Sequence, residues 1–169
     1  IVVSIVLFFN ALQLVNANRS FNQTTALLSS GNTDYNQIIA PLNEALEQRP
    51  NQPEYVLQKV AILFQVYSQT KDEQFYNEAV SLIDQARAAE PFNYALIERK
   101  IQSYTIKNNL PEALKLASEQ INNFPWKVAL YDTAIGTANQ LGNQAFEKKD
   151  STNQELYWSQ ALEIYARFE

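Results

Sequence analysis

The stretch that most constrains this chain is residues 93–126, NYALIERKIQSYTIKNNLPEALKLASEQINNFPW. Its apolar residues recur at helical spacing in two blocks, parted by Asn108-Asn109 and closed by Pro125. Ile97, Ile101 and Tyr104 give the first block one inner stripe. Ala113 and Ala117 give the second block a small-residue seam where two helices can approach closely. Helices joined by so short a turn fold back antiparallel. The spacing predicts a helical hairpin of roughly 34 residues with Tyr94 in its first position.

The rest of the chain falls into the same register, as units of residues 18–50, 51–91, 92–125 and 126–169. In the first, Phe21, Thr25, Leu27 and Leu28 suit a helix over 18–30, broken by Gly31-Asn32-Thr33-Asp34. Thr33 or Asp34 caps a second helix over 35–48, with Ile38, Leu42, Ala45 and Leu46 on one face. Pro41 lies inside that helix, and Pro50 ends the unit. Pro53 starts the next helix, which runs to about Gln69 with Val56, Val60, Leu63 and Tyr67 facing inward. Asp72 caps its partner, which brings Ala79, Ile83 and Ala86 to the close-contact positions before Pro91. This unit is longer than the others, and the excess is assigned to residues 65–74, since added length there is cheap. In the last unit, 128–140 carries Tyr131, Ala134, Ile135 and Ala138. Gly142 stands at the turn position, although the helical pattern could continue to Lys148-Lys149. Thr152 with Glu155 fits a capping box for a final helix bearing Leu156, Tyr157, Ala161, Ile164, Tyr165 and Phe168.

Composition narrows the chemistry. The chain has no His and no Cys, which removes Ser-His and Cys nucleophiles, His/Cys zinc sites and thiol redox chemistry. No catalytic residue, metal ligand or cofactor-binding position is assigned. A net charge of −5 without a basic stripe argues against nucleic acid. The aromatics Tyr67, Tyr104, Trp126, Tyr131, Tyr157 and Trp158 are read as packing between helices rather than as a sugar-stacking set.

The chain opens on a nearly pure apolar run, IVVSIVLFF, followed by the mixed NALQLVNAN and a first charge at Arg19. Three readings compete. The preferred one makes residues 1–17 the end of a transmembrane helix, because a complete span needs about 20 mostly apolar residues. The others are a secretory h-region with a Val15-Asn16-Ala17 cleavage box, and a buried first helix of the fold.

The hairpin register, the small residues at Ala113 and Ala117 and the closing prolines resemble tetratricopeptide repeats. The expected fold is therefore all-α, a tetratricopeptide-like helical-hairpin solenoid of about four helix pairs preceded by the end of a transmembrane helix. Such repeats bind protein or peptide partners on the face of each first helix. The groove positions are Leu57, Ala61, Phe64 and Gln65, then Glu98, Gln102, Thr105 and Ile106, then Asp132, Asn139 and Gln140. Glu98 and Asp132 disfavour the basic clamp that some of these domains place around a partner's C-terminal carboxylate.

The apolar lead-in, Arg19-Ser20, the Pro50-Asn51-Gln52-Pro53-Glu54-Tyr55 junction and Glu90-Pro91-Phe92-Asn93 carry a finer resemblance. It continues through Phe124-Pro125-Trp126, Tyr157-Trp158 and Ala161-Leu162-Glu163-Ile164-Tyr165. Together they resemble the C-terminal repeat region of bacterial O-antigen ligase or polymerase-like membrane proteins. The resemblance implies an assembly module appended to a multi-pass membrane protein that joins lipid-linked glycan. That family's catalytic Arg and His have no counterpart here. The alternative expectation is a free-standing exported adaptor with no enzyme attached.

Overall fold

The computed structural model describes residues 2–168, with side chains over 10–168. Among the described residues all regular structure is helical. The helices are α1 (Val2–Ser29), α2 (Tyr35–Gln48), α3 (Pro53–Thr70), α4 (Glu73–Ala89), α5 (Tyr94–Ile106), α6 (Leu110–Asn123), α7 (Val128–Glu147) and α8 (Ser151–Phe168). They form two compact units, Ile1–Arg99 and Lys100–Glu169, with the boundary inside α5.

Two turn chemistries alternate along the chain. Each turn within a hairpin carries one left-handed residue: Gly31 (φ 75°) after α1, Lys71 (59°) after α3, Asn108 (54°) after α5 and Lys149 (57°) after α7. At three of them a six-residue loop of hydrogen bonding closes the helix end, from Asn32 N–H to Leu27 C=O, Asn109 to Tyr104 and Asp150 to Ala145. This pattern satisfies carbonyls that the helix end would otherwise leave open. Each turn between hairpins instead ends its helix on a residue at negative φ outside the helical region: Arg49 (φ −139°), Glu90 (−130°) and Phe124 (−134°). Pro50, Pro91 and Pro125 follow, and a residue before proline is driven out of the helical region. The prolines that close the units in the sequence thus act by ending every second helix.

In the first unit α1 packs along α2 and α3 along α4. The side of α1 that meets α2 is small and polar, with Ala17, Ser20 and Thr24 buried at spacings of three and four. The Thr24 hydroxyl lies 3.4 Å from the carbonyls of both Ser20 and Ile38. The Ser20 hydroxyl donates to Glu44 at 3.2 Å. The sequence expectation placed Phe21, Thr25, Leu27 and Leu28 on this face. Thr25 is exposed instead, and Phe21 turns to the Tyr55 ring, centroids 4.8 Å apart. Hydroxyls that bond to backbone carbonyls can sit at a close helix crossing, where bulkier side chains would hold the helices apart. The Tyr55 hydroxyl also donates to Asn18 Oδ1, tying α3 to α1. In the second pair Val56, Val60 and Leu63 of α3 are buried, as are Ala79, Ile83 and Ala86 of α4. Lys59 and Glu78 form an ion pair at 2.7 Å.

The expected boundary after residue 17 falls inside α1, which runs on unbroken to Ser29. The side chains of residues 1–9, on which the membrane expectation chiefly rests, lie outside the described residues. No helix among those described is long and apolar enough to cross a membrane. Asn10, Gln13, Asn16, Asn18 and Arg19 dilute the apolar run within α1.

In the second unit α7 is central and packs on both α6 and α8. Ala113 and Ala117 of α6 are fully buried, as are Ala134 and Ala138 of α7. Helix α7 continues through Gly142 to Glu147, so Gly142 is no turn residue. Helix α8 is capped by Asp150, not by Thr152. The Asp150 carboxylate accepts from the Asn153 side chain at 2.6 Å and its backbone N–H at 3.1 Å, and these bonds hold its carboxyl below the usual range. Trp126 does not fill space between helices either: it is largely exposed, with its ring 6.0 Å from that of Phe124.

Two outcomes test this packing. Replacing Ala113 by Leu overpacks the close approach and is expected to cost about 1–3 kcal/mol, lowering the thermal midpoint by several degrees. An unchanged midpoint would contradict the crossing. Burial also pushes the hydroxyls of Tyr35, Tyr55 and Tyr94 above their ordinary pKa, aided by Glu78 at Tyr35 and Glu98 at Tyr94. Protons are then held more tightly in the folded chain, so this stability is full below about pH 10 and falls as pH rises through the raised folded values. Urea midpoints are expected to drop as pH rises above about 10, and less steeply in Tyr55→Phe.

Candidate interaction surfaces

The positions singled out from sequence lie on three helices. In the first unit Leu57, Ala61, Phe64 and Gln65 follow one face of α3, and Glu98 lies on the first part of α5. Leu57 and Ala61 are half-buried and Gln65 and Glu98 are exposed. Phe64 is buried and its ring packs 6.0 Å from Tyr76 of α4, so it supports this face from beneath. In the second unit Gln102 and Thr105 are exposed and Ile106 half-buried on α5, while Asp132, Asn139 and Gln140 are exposed on α7. The arrangement offers amide and carboxylate groups beside small apolar patches. That chemistry suits a peptide surface and holds no nucleophile–base pair. Among the described residues no group of three or more acidic, His or Cys side chains could hold a metal ion.

Three features were not legible in the sequence. A cleft of about 450 Å³ opens between α6 and α8 in the second unit. Leu114, Tyr157 and Ile164 line it, with Lys115, Glu119, Glu163 and Arg167 around them. Arg167 closes one end by donating to Asn122 at 2.7 Å. A polar hollow of about 570 Å³ lies in the first unit, among Asn10, Gln13, Gln48, Arg49, Asn51, Gln52 and Glu90. The third is an apolar strip on α8 made by Trp158, Leu162 and Tyr165, all exposed. One edge of that strip is set by contact with Gly142 of α7. A β-carbon at that glycine would stand 2.3 Å from Cδ1 and Nε1 of the Trp158 indole. The glycine therefore serves as a socket for the indole, an approach only a residue without a side chain permits.

No known protein family matches this chain, and no curated protein resembles it in sequence. Among solved structures it is similar to one described as "MamA RS-1 ArsTM double mutant", with a TM-score of 0.55 and 17% sequence identity. The match covers 89% of this chain and 76% of that one. At this identity the likeness bears on the fold alone, and it supports a tetratricopeptide-like helical repeat.

Gly142→Ala is expected to lift the Trp158 indole off α7. In a Trp126→Phe background, which leaves Trp158 as the sole tryptophan, the emission maximum should shift to the red. An unshifted spectrum in a folded variant would contradict the socket.

Proposed function

We propose that this chain is a protein-interaction scaffold whose partner contacts lie on the exposed faces of α3, α5 and α7. The observation that carries this reading is the helical-hairpin fold itself, whose α3, α5 and α7 hold exposed polar side chains beside half-buried apolar ones. Repeats of this kind present polar and small apolar side chains on rigid helices, and binding is their usual work. The half-buried Leu57, Ala61 and Ile106 would anchor a partner's apolar side chains. Gln65, Glu98, Gln102, Thr105, Asp132, Asn139 and Gln140 would meet its polar groups.

The finer reading makes this scaffold an appendage of a bacterial membrane protein that ligates or polymerises lipid-linked glycan. In it the apolar lead-in ahead of Asn10 continues a membrane helix, and the repeats carry no catalytic residue of their own. The sequence of the lead-in and of the proline-bounded junctions supports it. Reading the gene upstream of Ile1 tests it directly. Several apolar spans of about 20 residues with a loop bearing Arg and His would uphold it. A nearby start codon followed by Lys or Arg would replace it with the exported adaptor.

Photo-crosslinking in cells tests the scaffold. A crosslinker at Gln65, Gln102 or Asn139 is expected to capture a common protein, and Leu57→Asp should abolish the Gln65 adduct. A crosslinker at exposed Gln85 of α4 should not capture it. Adducts that appear equally from Gln85, or that survive Leu57→Asp, would overturn the assignment of these faces.

A further inference from the structure

The polar hollow of the first unit is built where helix ends meet. Gln48 and Arg49 enter it from the end of α2, Asn51 and Gln52 from the turn into α3, and Glu90 from the end of α4. Helix α1 adds two further carboxamides, Asn10 and Gln13. Gln52 stands at the N-cap of α3 but makes no capping bond, so its side chain is not engaged by the helix end. Gln48 Oε1 is buried and accepts no hydrogen bond. A buried acceptor without a donor is costly, and a rotation of this carboxamide toward a donor in the hollow would relieve it.

Two charges of opposite sign stand in the same wall. Among the described residues neither Arg49 nor Glu90 forms an ion pair. The Asn93 side chain donates to Glu90 Oε2 at 2.9 Å and steadies that carboxylate. The wall sums to zero charge, which disfavours a phosphate or a polyamine. Of the residues lining it only Pro50 is apolar, which disfavours a lipid or an aromatic ligand. A ligand that uses the whole wall carries both charges, has a hydrogen to donate to Gln48, and is polar elsewhere.

We infer that this hollow binds a free α-amino acid with a polar side chain. The ligand's carboxylate meets the Arg49 guanidinium, whose planar fork matches a carboxylate with two parallel bonds. Its ammonium donates to Glu90 and to Gln48 Oε1, which a quaternary ammonium, having no N–H, could not do. Its side chain meets the carboxamides of Asn10, Gln13, Asn51 and Gln52, each of which offers donors and an acceptor. A polyol could satisfy those carboxamides but would leave both charges without a counterpart, and charge-assisted bonds are the stronger ones. The volume of about 570 Å³ lies in the range of small-molecule sites and leaves room for bridging waters beside one amino acid. This site shares no residue with the partner-binding faces proposed above and stands or falls separately from them.

NMR titration of the 169-residue chain, followed on its side-chain carboxamide signals, tests this. L-Glutamine should bind saturably at concentrations on the order of 1 mM and shift the Gln48 signal. N-acetylglutamine lacks the ammonium and glutamine amide lacks the carboxylate, so each should bind at least about tenfold more weakly. Arg49→Gln should erase the preference for glutamine over its amide and keep the preference over the N-acetyl form. Glu90→Gln should do the reverse. Circular dichroism checks folding, and the comparison of the three ligands on the unaltered chain decides the matter even if a variant unfolds. Three results would each overturn the inference: no saturable binding of glutamine, binding of either blocked form as tight as that of glutamine, or folded variants that keep both preferences. Sorbitol binding as tightly as glutamine would also overturn it, and would make the hollow a hydroxyl site.

Discussion

Close approach of helix backbones is the constraint on which this structure depends. Ala79 and Ala86 on α4, and Ala113 and Ala117 on α6, are fully buried. The same requirement is met differently at the two ends. On α1 it falls to Ala17, Ser20 and Thr24, whose hydroxyls bond to neighbouring groups instead of adding bulk. On α7 it falls to a glycine under an indole. Chain turns then decide which helix meets which, through left-handed residues inside hairpins and non-helical residues at negative φ before proline between them.

Much of this was legible in the residues. The prolines at 50, 91 and 125, the caps Asp34 and Asp72, and the alanine seams follow from local backbone chemistry and need no knowledge of distant neighbours. Asp34 and Asp72 accept from the N–H groups of Asn36 and Gln74, as their positions imply. What escaped the sequence depended on neighbours across space. Gly142 could be a turn or lie within a continuing helix by sequence, and the fold decides for the helix, with Trp158 lying on the glycine. Asp150 outcompeted Thr152 as a cap because the left-handed Lys149 before it sets where α8 can start. The inner face of α1 escaped because Ser20 and Thr24 look like surface residues by polarity.

The interaction surfaces were less legible than the fold, for a physical reason. A catalytic site imposes residue types and spacings that stand out, whereas a binding face on a repeat uses the same Gln, Asn and Leu that serve any helix surface. Periodicity indicated which side of α3 Phe64 would take, but not that the ring would be drawn inward against Tyr76. The bare strip on α8 could not be recognised from periodicity alone, since a stripe to be buried and one left open have the same spacing. Only the exposure of Leu162 and Tyr165 in the folded chain separates them.

The left-handed residues within the hairpins carry a consequence for how this protein can change over time. Lys71 and Lys149 hold a conformation that an L-residue with a β-carbon adopts at a cost of about 1 kcal/mol, a cost glycine does not bear. Both lie at exposed helix ends. A glycine at either position would relieve it, at Lys149 alone, and at Lys71 together with loss of the ammonium lying 5.8 Å from the Tyr67 ring centroid. The chain thus holds a latent stability reserve in its turns, from which a lineage could offset harmful changes elsewhere while its helix faces diverge toward new partners.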